Sequence, residues 1–286
     1  MKYIFFGTPR FAEMVLGRLI EAGFPPSLVA TNPDRPVGRK HILTSPPVKA
    51  LADKHNVPVI QPESLANFKF QISNSKFDFA VLASYGKIIP QEVIDIFPRG
   101  IIVVHPSLLP RYRGATPIQS AILSGDEKTG TTLILMDGKV DHGPILARRE
   151  LEFPLSNFQF SRLHDALAEL SAGLLLETLP GFERGEVTPV PQDESEATYT
   201  KKFSSEDAFV DYGDLEKAEQ EGGEKAVIVD RKIRGLNPEP GVWTLKRTEG
   251  KDERIKLLEA ELVDGKLKLR KIQKEGGKPI ENLFEI

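Results

Sequence analysis

An uninterrupted apolar run, Ile101-Ile102-Val103-Val104, ends at His105-Pro106 and constrains the fold of this chain most strongly. All four residues are β-branched, which is typical of a strand buried on both faces, as in a parallel sheet covered by helices. Proline cannot donate to a sheet ladder, so the strand is predicted to end at His105. Ligands of open α/β sheets bind beyond the carboxyl ends of strands, which makes His105 a candidate for chemistry.

The preceding sequence predicts the rest of an α/β unit. Tyr3–Phe6 and Ser27–Ala30 indicate strands, and between them Phe11, Val15 and Leu19 recur at helical spacing. This β-α-β opening predicts a Rossmann-like, mostly parallel sheet with right-handed crossovers. Phe79–Ala83 indicates a further strand, and leucines between 163 and 174 mark a closing helix. We expect a catalytic domain at 1–184, a linker at 185–202 and a second domain at 203–286.

Composition excludes several kinds of site. The chain has 286 residues and no cysteine, which excludes disulfides, thiolate nucleophiles and zinc held by cysteine. Its five histidines lack zinc-ligand spacing, and we expect no metal. No apolar stretch is long enough to cross a bilayer, and the short opening run is broken by Pro9, unlike a signal peptide. We expect a cytoplasmic protein without a membrane partner.

Charge is segregated in the second half of the chain. Residues 203–230 carry nine acidic and two basic side chains, whereas residues 231–278 carry fourteen basic and eight acidic ones. Within the basic part, Lys266-Leu267-Lys268-Leu269-Arg270 alternates leucines with cations, as in a half-buried strand with a basic surface. A polyanionic partner suits this stretch, although a solvated face with counter-charges is the commoner reason for a charge run.

A second candidate for acid–base chemistry follows the predicted strand Thr131–Met136. Asp141 lies in the turn Val140-Asp141-His142-Gly143, just beyond that strand end. A carboxylate beside an imidazole holds its tautomer, the usual arrangement for acid–base catalysis near neutral pH. His105 and Asp141 are therefore predicted to act together.

Several long motifs resemble one enzyme family. The stretches 107–117 (SLLPRYRGATP), 125–130 (GDEKTG) and 140–143 (VDHG) are similar to 10-formyltetrahydrofolate-dependent formyltransferases. The stretches 6–12 (FGTPRFA), 31–39 (TNPDRPVGR) and 45–49 (SPPVK) resemble the methionyl-tRNA formyltransferase branch of that family. Such motifs in a fixed order are far more specific than a single glycine-rich turn.

The resemblance implies a reaction, partners and a second domain. It implies transfer of a formyl group from the folate substrate 10-formyltetrahydrofolate to the α-amino group of methionine on initiator methionyl-tRNA, for translation initiation. We expect the protein to act as a monomer. It also implies that residues 231–238 lead from a helix into a small β-barrel of the oligonucleotide-binding type, here shorter than usual.

The resemblance further implies site residues in three groups. Catalysis falls to His105 and Asp141, with Val103 at a position where the family has asparagine. The folate is expected at Ser107, Leu108, Leu109, Pro110, Gly86, Ile88 and Ile89. The tRNA is expected at Arg35, Arg39, Lys40, Arg113, Lys268 and Arg270.

Val103 is the departure that bears most on activity. Valine cannot donate a hydrogen bond to a developing oxyanion, so we expect reduced turnover unless His142 supplies a substitute donor. Two alternatives stay open: a formyltransferase for a sugar nucleotide or a purine precursor, and a folate- or tRNA-binding homologue that has lost catalysis.

Overall fold

The chain forms two compact units in a computed structural model that describes residues 2–38, 41–66, 68, 72, 76–151, 158–248 and 251–281. The first unit comprises residues 1–114, 129–152 and 164–199, and the second comprises 115–128, 153–163 and 200–286. The chain therefore leaves the first unit and returns to it twice before the boundary after Tyr199.

A seven-stranded sheet organises the first unit. Its strands, in chain order, are β1 (Tyr3–Gly7), β2 (Leu28–Ala30), β5 (Val59–Ile60), β6 (Phe79–Ala83), β7 (Ile101–His105), β8 (Thr129–Leu135) and β9 (Ile145–Leu151). Their spatial order is β5-β2-β1-β6-β7-β8-β9, with parallel pairing from β5 to β7 and antiparallel pairing of β7 with β8 and of β8 with β9. The predicted mostly parallel sheet is confirmed.

Burial explains why these runs are strands. Every residue of β1 and β7 is buried, so both faces of the central strands are covered. Strand order reverses between β1 and β6, and the carboxyl ends of β6 and β7 lie side by side. This edge is where an open α/β sheet offers a ligand site, and His105 is the last residue of β7.

Three helices of the first unit lie between its strands in the chain, and a fourth follows the last strand. They are α1 (Arg10–Glu21), α2 (Pro47–Lys54), α3 (Gln91–Ile94) and, from His164 onward, α5 (Phe160–Arg184). In α1 the residues Phe11, Val15 and Leu19 are buried, as their spacing predicts. The predicted β-α-β opening is confirmed.

The stretch 31–47, in which the sequence shows no apolar periodicity, contains a β-hairpin. Its strands β3 (Arg35–Val37) and β4 (Ile42–Thr44) pair antiparallel, and all six of their residues are exposed. Apolar periodicity could not reveal strands that contribute nothing to the core.

The end of the first unit differs from the expected linker. Val190 pairs with Ile145 in an isolated bridge, and Thr198 bonds through its backbone to Pro110 and Arg113. Residues 190–199 are thus hydrogen-bonded to the first unit rather than free of it. Hydrogen bonds made by polar residues leave no trace in hydrophobic periodicity, so the sequence resembled a linker.

The second unit packs three helices with an antiparallel sheet. The helices are α4 (Pro117–Ser124), α6 (Tyr212–Gln220) and α7 (Gly223–Leu236), and the strands are β10 (Trp243–Thr248), β11 (Lys251–Val263), β12 (Lys266–Lys274) and β13 (Pro279–Glu281). Strand order is linear, β10-β11-β12-β13, so among the described residues the sheet is open rather than closed into the expected barrel. In β12 the alternation is as predicted, because Leu267 and Leu269 are buried and Lys268 is exposed.

None of the helices in the described ranges combines the length and the apolar composition that a membrane span requires.

Candidate active site

His105 lies at the carboxyl end of β7 with only 4% of its surface exposed. Its Nε2 is 2.9 Å from the backbone carbonyl oxygen of Tyr112. A carbonyl only accepts, so Nε2 carries the proton and donates. The other nitrogen, Nδ1, lies 3.5 Å from Oδ2 of Asp141. The backbone contact thereby orients the ring with its second nitrogen toward a carboxylate.

Asp141 is held from the opposite side by the backbone. Its Oδ2 accepts a hydrogen bond of 2.8 Å from the amide of Gly114. Asp141 has φ of 46°, in the left-handed region that non-glycine residues seldom adopt. The structure thus brings together His105 and Asp141, the two residues that were predicted to act as a pair.

The turn that carries Asp141 is tightly packed. A Cβ on Gly143 would lie 1.7 Å from the backbone oxygen of Leu135, so no larger residue fits there. Next to it, His142 has its Nδ1 2.5 Å from Oδ2 of Asp137 and its Nε2 3.4 Å from Oε1 of Glu194. His142 is therefore held between two carboxylates and would have to leave them to supply a donor to a substrate.

Val103 points into an apolar cluster. It is 5% exposed, packs with Leu109 and Ile134, and is bordered by Leu82 and Met136 among others. Alternate residues of a strand share a face, so Val103 lies on the same face of β7 as His105. The position where the family has asparagine is lined here by aliphatic side chains.

The stretch predicted to hold the folate turns back immediately after β7. Ser107 is buried and its hydroxyl donates to the Arg111 carbonyl over 2.7 Å. Thr132 accepts from the Leu109 amide and donates to the Ser107 carbonyl. Leu109 and Pro110 are buried and Leu108 is half-buried, so this turn is rigid and presents mainly backbone.

The loop after β6 supplies the remaining predicted folate residues. Gly86 has φ of 78°, Ile88 is 93% exposed, and Ile89 is half-buried. Tyr85 is enclosed, and burial raises its pKa to about 12. Lys87 donates to the carbonyl oxygens of residues 62 and 63, and burial lowers its pKa. Ile88 thus presents an exposed apolar side chain in the loop that follows β6.

Residues predicted to bind tRNA divide into four kinds. Arg35 and Lys268 are exposed, while Arg270 is ion-paired with Glu261. Arg39 and Lys40 lie outside the described residues. Arg113 is fully buried, so a phosphate contact does not fit its position, and we withdraw it from the tRNA group.

Sequence reasoning missed an anchor at the base of the β3–β4 hairpin. The Asp34 carboxylate accepts from Lys49 Nζ at 2.9 and 3.0 Å, from Gln61 Nε2 at 2.7 Å and from the Ser45 hydroxyl at 3.1 Å. The Lys49 hydrogen bond is the main reason that the pKa of Asp34 lies below its usual value. Asp34 precedes β3 and Ser45 follows β4, so one carboxylate joins both ends of the hairpin.

Comparisons with known proteins show the family of this chain. A sequence profile of the Formyl transferase family matches residues 1–179. A methionyl-tRNA formyltransferase of Chloroflexus aurantiacus is 41% identical over 249 residues, which cover 86% of this chain and 77% of the relative. This chain belongs to the methionyl-tRNA formyltransferase family. Another relative of that name, from Sulfurovum sp. (strain NBC37-1), is 41% identical over 91% of this chain and 81% of its own.

Solved structures share the fold of this formyltransferase. A methionyl-tRNA formyltransferase from Clostridium thermocellum aligns over 99% of this chain and all of its own, with a TM-score of 0.61 and 19% identity. HypX from Aquifex aeolicus in complex with tetrahydrofolic acid aligns with a TM-score of 0.66 and 20% identity over 98% of this chain. Because this chain spans only 46% of HypX, that likeness concerns the fold of the shared part.

Formyltransferases of this family use 10-formyltetrahydrofolate as the formyl donor. Among the described residues, no three histidine, aspartate or glutamate side chains gather as metal ligands.

Proposed function

We propose that this chain transfers a formyl group from 10-formyltetrahydrofolate to the α-amino group of methionine on initiator methionyl-tRNA. The observation that carries the proposal is the His105–Asp141 pair, at the carboxyl end of β7, in a chain 41% identical to methionyl-tRNA formyltransferases. The reaction serves translation initiation, and we place it in the cytoplasm.

In the proposed reaction the methionyl amine attacks the formyl carbon. A carbon–nitrogen bond forms to the methionine, negative charge develops on the formyl oxygen, and the bond from that carbon to N10 of the folate breaks. The Nε2–H of His105 moves from the Tyr112 carbonyl, its partner in this structure, and donates a hydrogen bond to the developing oxyanion while the proton stays on the nitrogen. Asp141 beside Nδ1 takes the proton that the amine releases, and this proton is then delivered to N10 as the bond to the folate breaks.

Val103 makes this a slow enzyme in our proposal. An asparagine at this position would face the same side of β7 as His105 and could add a second donor to the oxyanion. The aliphatic cluster around Val103 offers no such donor. His142, the alternative donor, is engaged with Asp137 and Glu194.

The folate in this proposal occupies the edge formed by the turn 107–110 and the loop after β6. Three features support it: the exposed Ile88, the half-buried Ile89 and the backbone-rich turn at Ser107–Pro110. Apolar surface with a few fixed polar groups is the usual lining of a small-molecule site.

The tRNA in this proposal is bound electrostatically by cations of each unit. Arg35 on the exposed hairpin serves in the first unit, and Lys268 and Arg270 on β12 serve in the second. Arg39 and Lys40 remain part of the prediction from sequence.

Parallel acceptor assays test the proposal. The protein is incubated with 10-formyltetrahydrofolate and either charged initiator tRNA or a dTDP-linked amino sugar, and formylated product is quantified. We expect product only with the tRNA. Product only with the sugar nucleotide would show that the protein is a sugar-nucleotide formyltransferase. Product with neither acceptor, although folate binds, would favour a non-catalytic homologue. The N-formyltransferase from Helicobacter canadensis, solved with dTDP-3-aminofucose, is 18% identical with a TM-score of 0.64, so it shares the fold and does not support a sugar acceptor here.

A further inference from the structure

Residues 190–199, which we call the strap, contact two segments of the candidate active site. One is the loop that contains Tyr112 and Arg113, and the other is the turn that carries Asp141. Near one end, Val190 and Ile145 exchange backbone hydrogen bonds of 2.7 and 2.8 Å. Near the other, the Thr198 hydroxyl accepts from the Tyr112 amide and the Thr198 carbonyl accepts from the Arg113 amide, both over 2.8 Å. The strap is thus fixed at two points on either side of Gln192 and Glu194.

Gln192 holds the turn that carries Asp141. Its side-chain Nε2 donates to the backbone oxygens of Asp141 at 2.9 Å and Gly143 at 2.8 Å. Because Asp141 has a left-handed φ of 46°, its conformation persists only where surrounding groups hold it. The two hydrogen bonds from Gln192 hold the carbonyl groups on both sides of His142 and so fix the orientation of the Asp141 side chain.

Arg113 fixes Gln192 in turn. The buried guanidinium donates to Gln192 Oε1 from Nε at 3.1 Å and from an Nη at 2.9 Å. It also donates to both carboxylate oxygens of Glu194, at 2.6 and 3.0 Å. Arginine only donates and backbone carbonyls only accept, so the Gln192 amide fits in one orientation alone. The hydrogen bond to Glu194 is the main reason that the pKa of Arg113 lies above its usual value.

The strap supports the histidine side of the site as well. Tyr112, whose carbonyl accepts from His105 Nε2, has a left-handed φ of 64° and is held by Thr198. Between the two halves, the Gly114 amide donates to Asp141 Oδ2. Tyr112, which accepts from His105, and Asp141 itself both have a left-handed φ. The strap is hydrogen-bonded to both of them, through Thr198 and Gln192.

We propose that Gln192 and Arg113 are positioning residues for formyl transfer. Gln192 orients the Asp141 turn, Arg113 and Glu194 orient Gln192, and neither Gln192 nor Arg113 contacts the substrates. This inference rests on the proposed function of the site. It also gives Arg113 a role in place of the tRNA contact that its burial excludes.

Substitutions at Gln192 test the proposal through kinetics. Gln192→Glu keeps the volume and the pairing with Arg113 but removes both donors, and Gln192→Ala removes the link altogether. We expect both to lower kcat by about 10- to 100-fold, as misplacement of a catalytic group does, with KM for the folate and for the tRNA within about twofold. Arg113→Lys is expected to behave alike, because an ammonium cannot donate side-on to two partners.

The matched control is Glu177→Gln, which disrupts an exposed two-bond pair with Arg149 in the same unit. We expect its kcat to equal that of the wild type. A folded Gln192→Glu protein with normal kcat would reduce Gln192 to a packing role and overturn the proposal. A rise in KM at unchanged kcat would also overturn it, since it would mean that the strap binds substrate.

Hydrogen exchange tests the positioning without any turnover. The Gly114 amide, which donates to Asp141, and the amides of residues 139–143 are expected to exchange faster in Gln192→Ala than in Glu177→Gln. Equal exchange in the two variants would refute the positioning role. Should the wild type transfer no formyl group, the proposed function fails, while this comparison still decides whether the strap positions Asp141.

Discussion

Replacing Val103 with asparagine is expected to accelerate formyl transfer. Loss of one donor to a developing oxyanion typically costs about 2.7 to 4 kcal/mol, a factor of roughly 100 to 1000 in turnover. Residues two apart on a strand share a face and are about 6.6 Å apart, so an amide at 103 lies beside His105. Val103→Asn should therefore raise kcat by up to this factor, with little change in KM for either substrate.

The same substitution is expected to destabilise the fold. Val103 is 5% exposed in an aliphatic cluster with Leu109 and Ile134. Burial of a valine side chain stabilises by roughly 1.5 kcal/mol or more, and an amide that finds no partner costs about 1 to 3 kcal/mol. We expect a lower unfolding midpoint in urea, and partial recovery when substrate occupies the site.

Steady-state kinetics on wild type and Val103→Asn decide the point, with Val104→Asn as the matched control. Val104 is equally buried on the opposite face of β7, so its amide has the same stability cost but points away from His105. If Val103→Asn adds no rate to a wild type that already turns over at an ordinary enzymatic rate, the missing-donor reasoning is refuted. The donor then comes from elsewhere, with His142 as the first residue to test.

Three further predictions concern acid–base chemistry, tRNA binding and pH. His105→Ala and Asp141→Ala should each lower kcat about 100- to 10,000-fold, and the double variant little further, because the pair acts as one unit; near-normal turnover in Asp141→Ala would remove the carboxylate from the mechanism. Lys268→Ala should reduce the slope of log binding constant against log salt concentration for tRNA by about 0.7 to 0.9. Arg270→Ala should reduce it by less, because the Arg270 guanidinium is paired with Glu261. An unchanged slope for Lys268→Ala would show that β12 does not contact the tRNA. The Arg113 hydrogen bond lowers the pKa of Glu194 below its ordinary 4.5. The pair therefore stabilises the fold fully above pH 4.5, and this stabilisation is lost as the pH falls through the lowered pKa. Glu194→Gln should flatten that part of the acid-unfolding curve, and an identical curve would mean that the pair contributes nothing.

Much of the first unit followed from sequence because its strands are buried. Ile101–Val104 and Phe79–Ala83 consist of apolar residues alone, and both are central strands in the structure. Proline after His105 marked the end of β7, and the same reasoning put Asp141 beyond a strand end. That the two residues meet did not follow from this reasoning, because β8 runs antiparallel to β7 and ends beside Ile102. The turn after β8 brings Asp141 back to His105.

Elements held by polar contacts could not be predicted in this way. The β3–β4 hairpin is wholly exposed and depends on the Asp34 carboxylate, whose partners lie up to 27 residues away in the chain. The strap resembled a linker because Gln192 and Glu194 act through hydrogen bonds to residues about 50 to 80 positions earlier. Arg113 resembled a surface cation for the same reason.

The second unit shows a further limit. Alternation in Lys266–Arg270 predicted a strand with one buried face, and β12 has it. Whether strands close into a barrel depends on pairing between distant edges, which alternation does not encode. The counter-charges were equally hidden, since Glu261 and Arg270 meet only through the β11–β12 register.

The most direct test of the account is a single-turnover assay with enzyme in excess over charged initiator tRNA and a radiolabelled formyl group on the folate. We expect label on the methionyl α-amine, at a rate reduced at least 100-fold by Asp141→Ala and raised by Val103→Asn. Folded enzyme that binds folate and tRNA but leaves the methionyl amine unlabelled, in the wild type and in Val103→Asn alike, would contradict it.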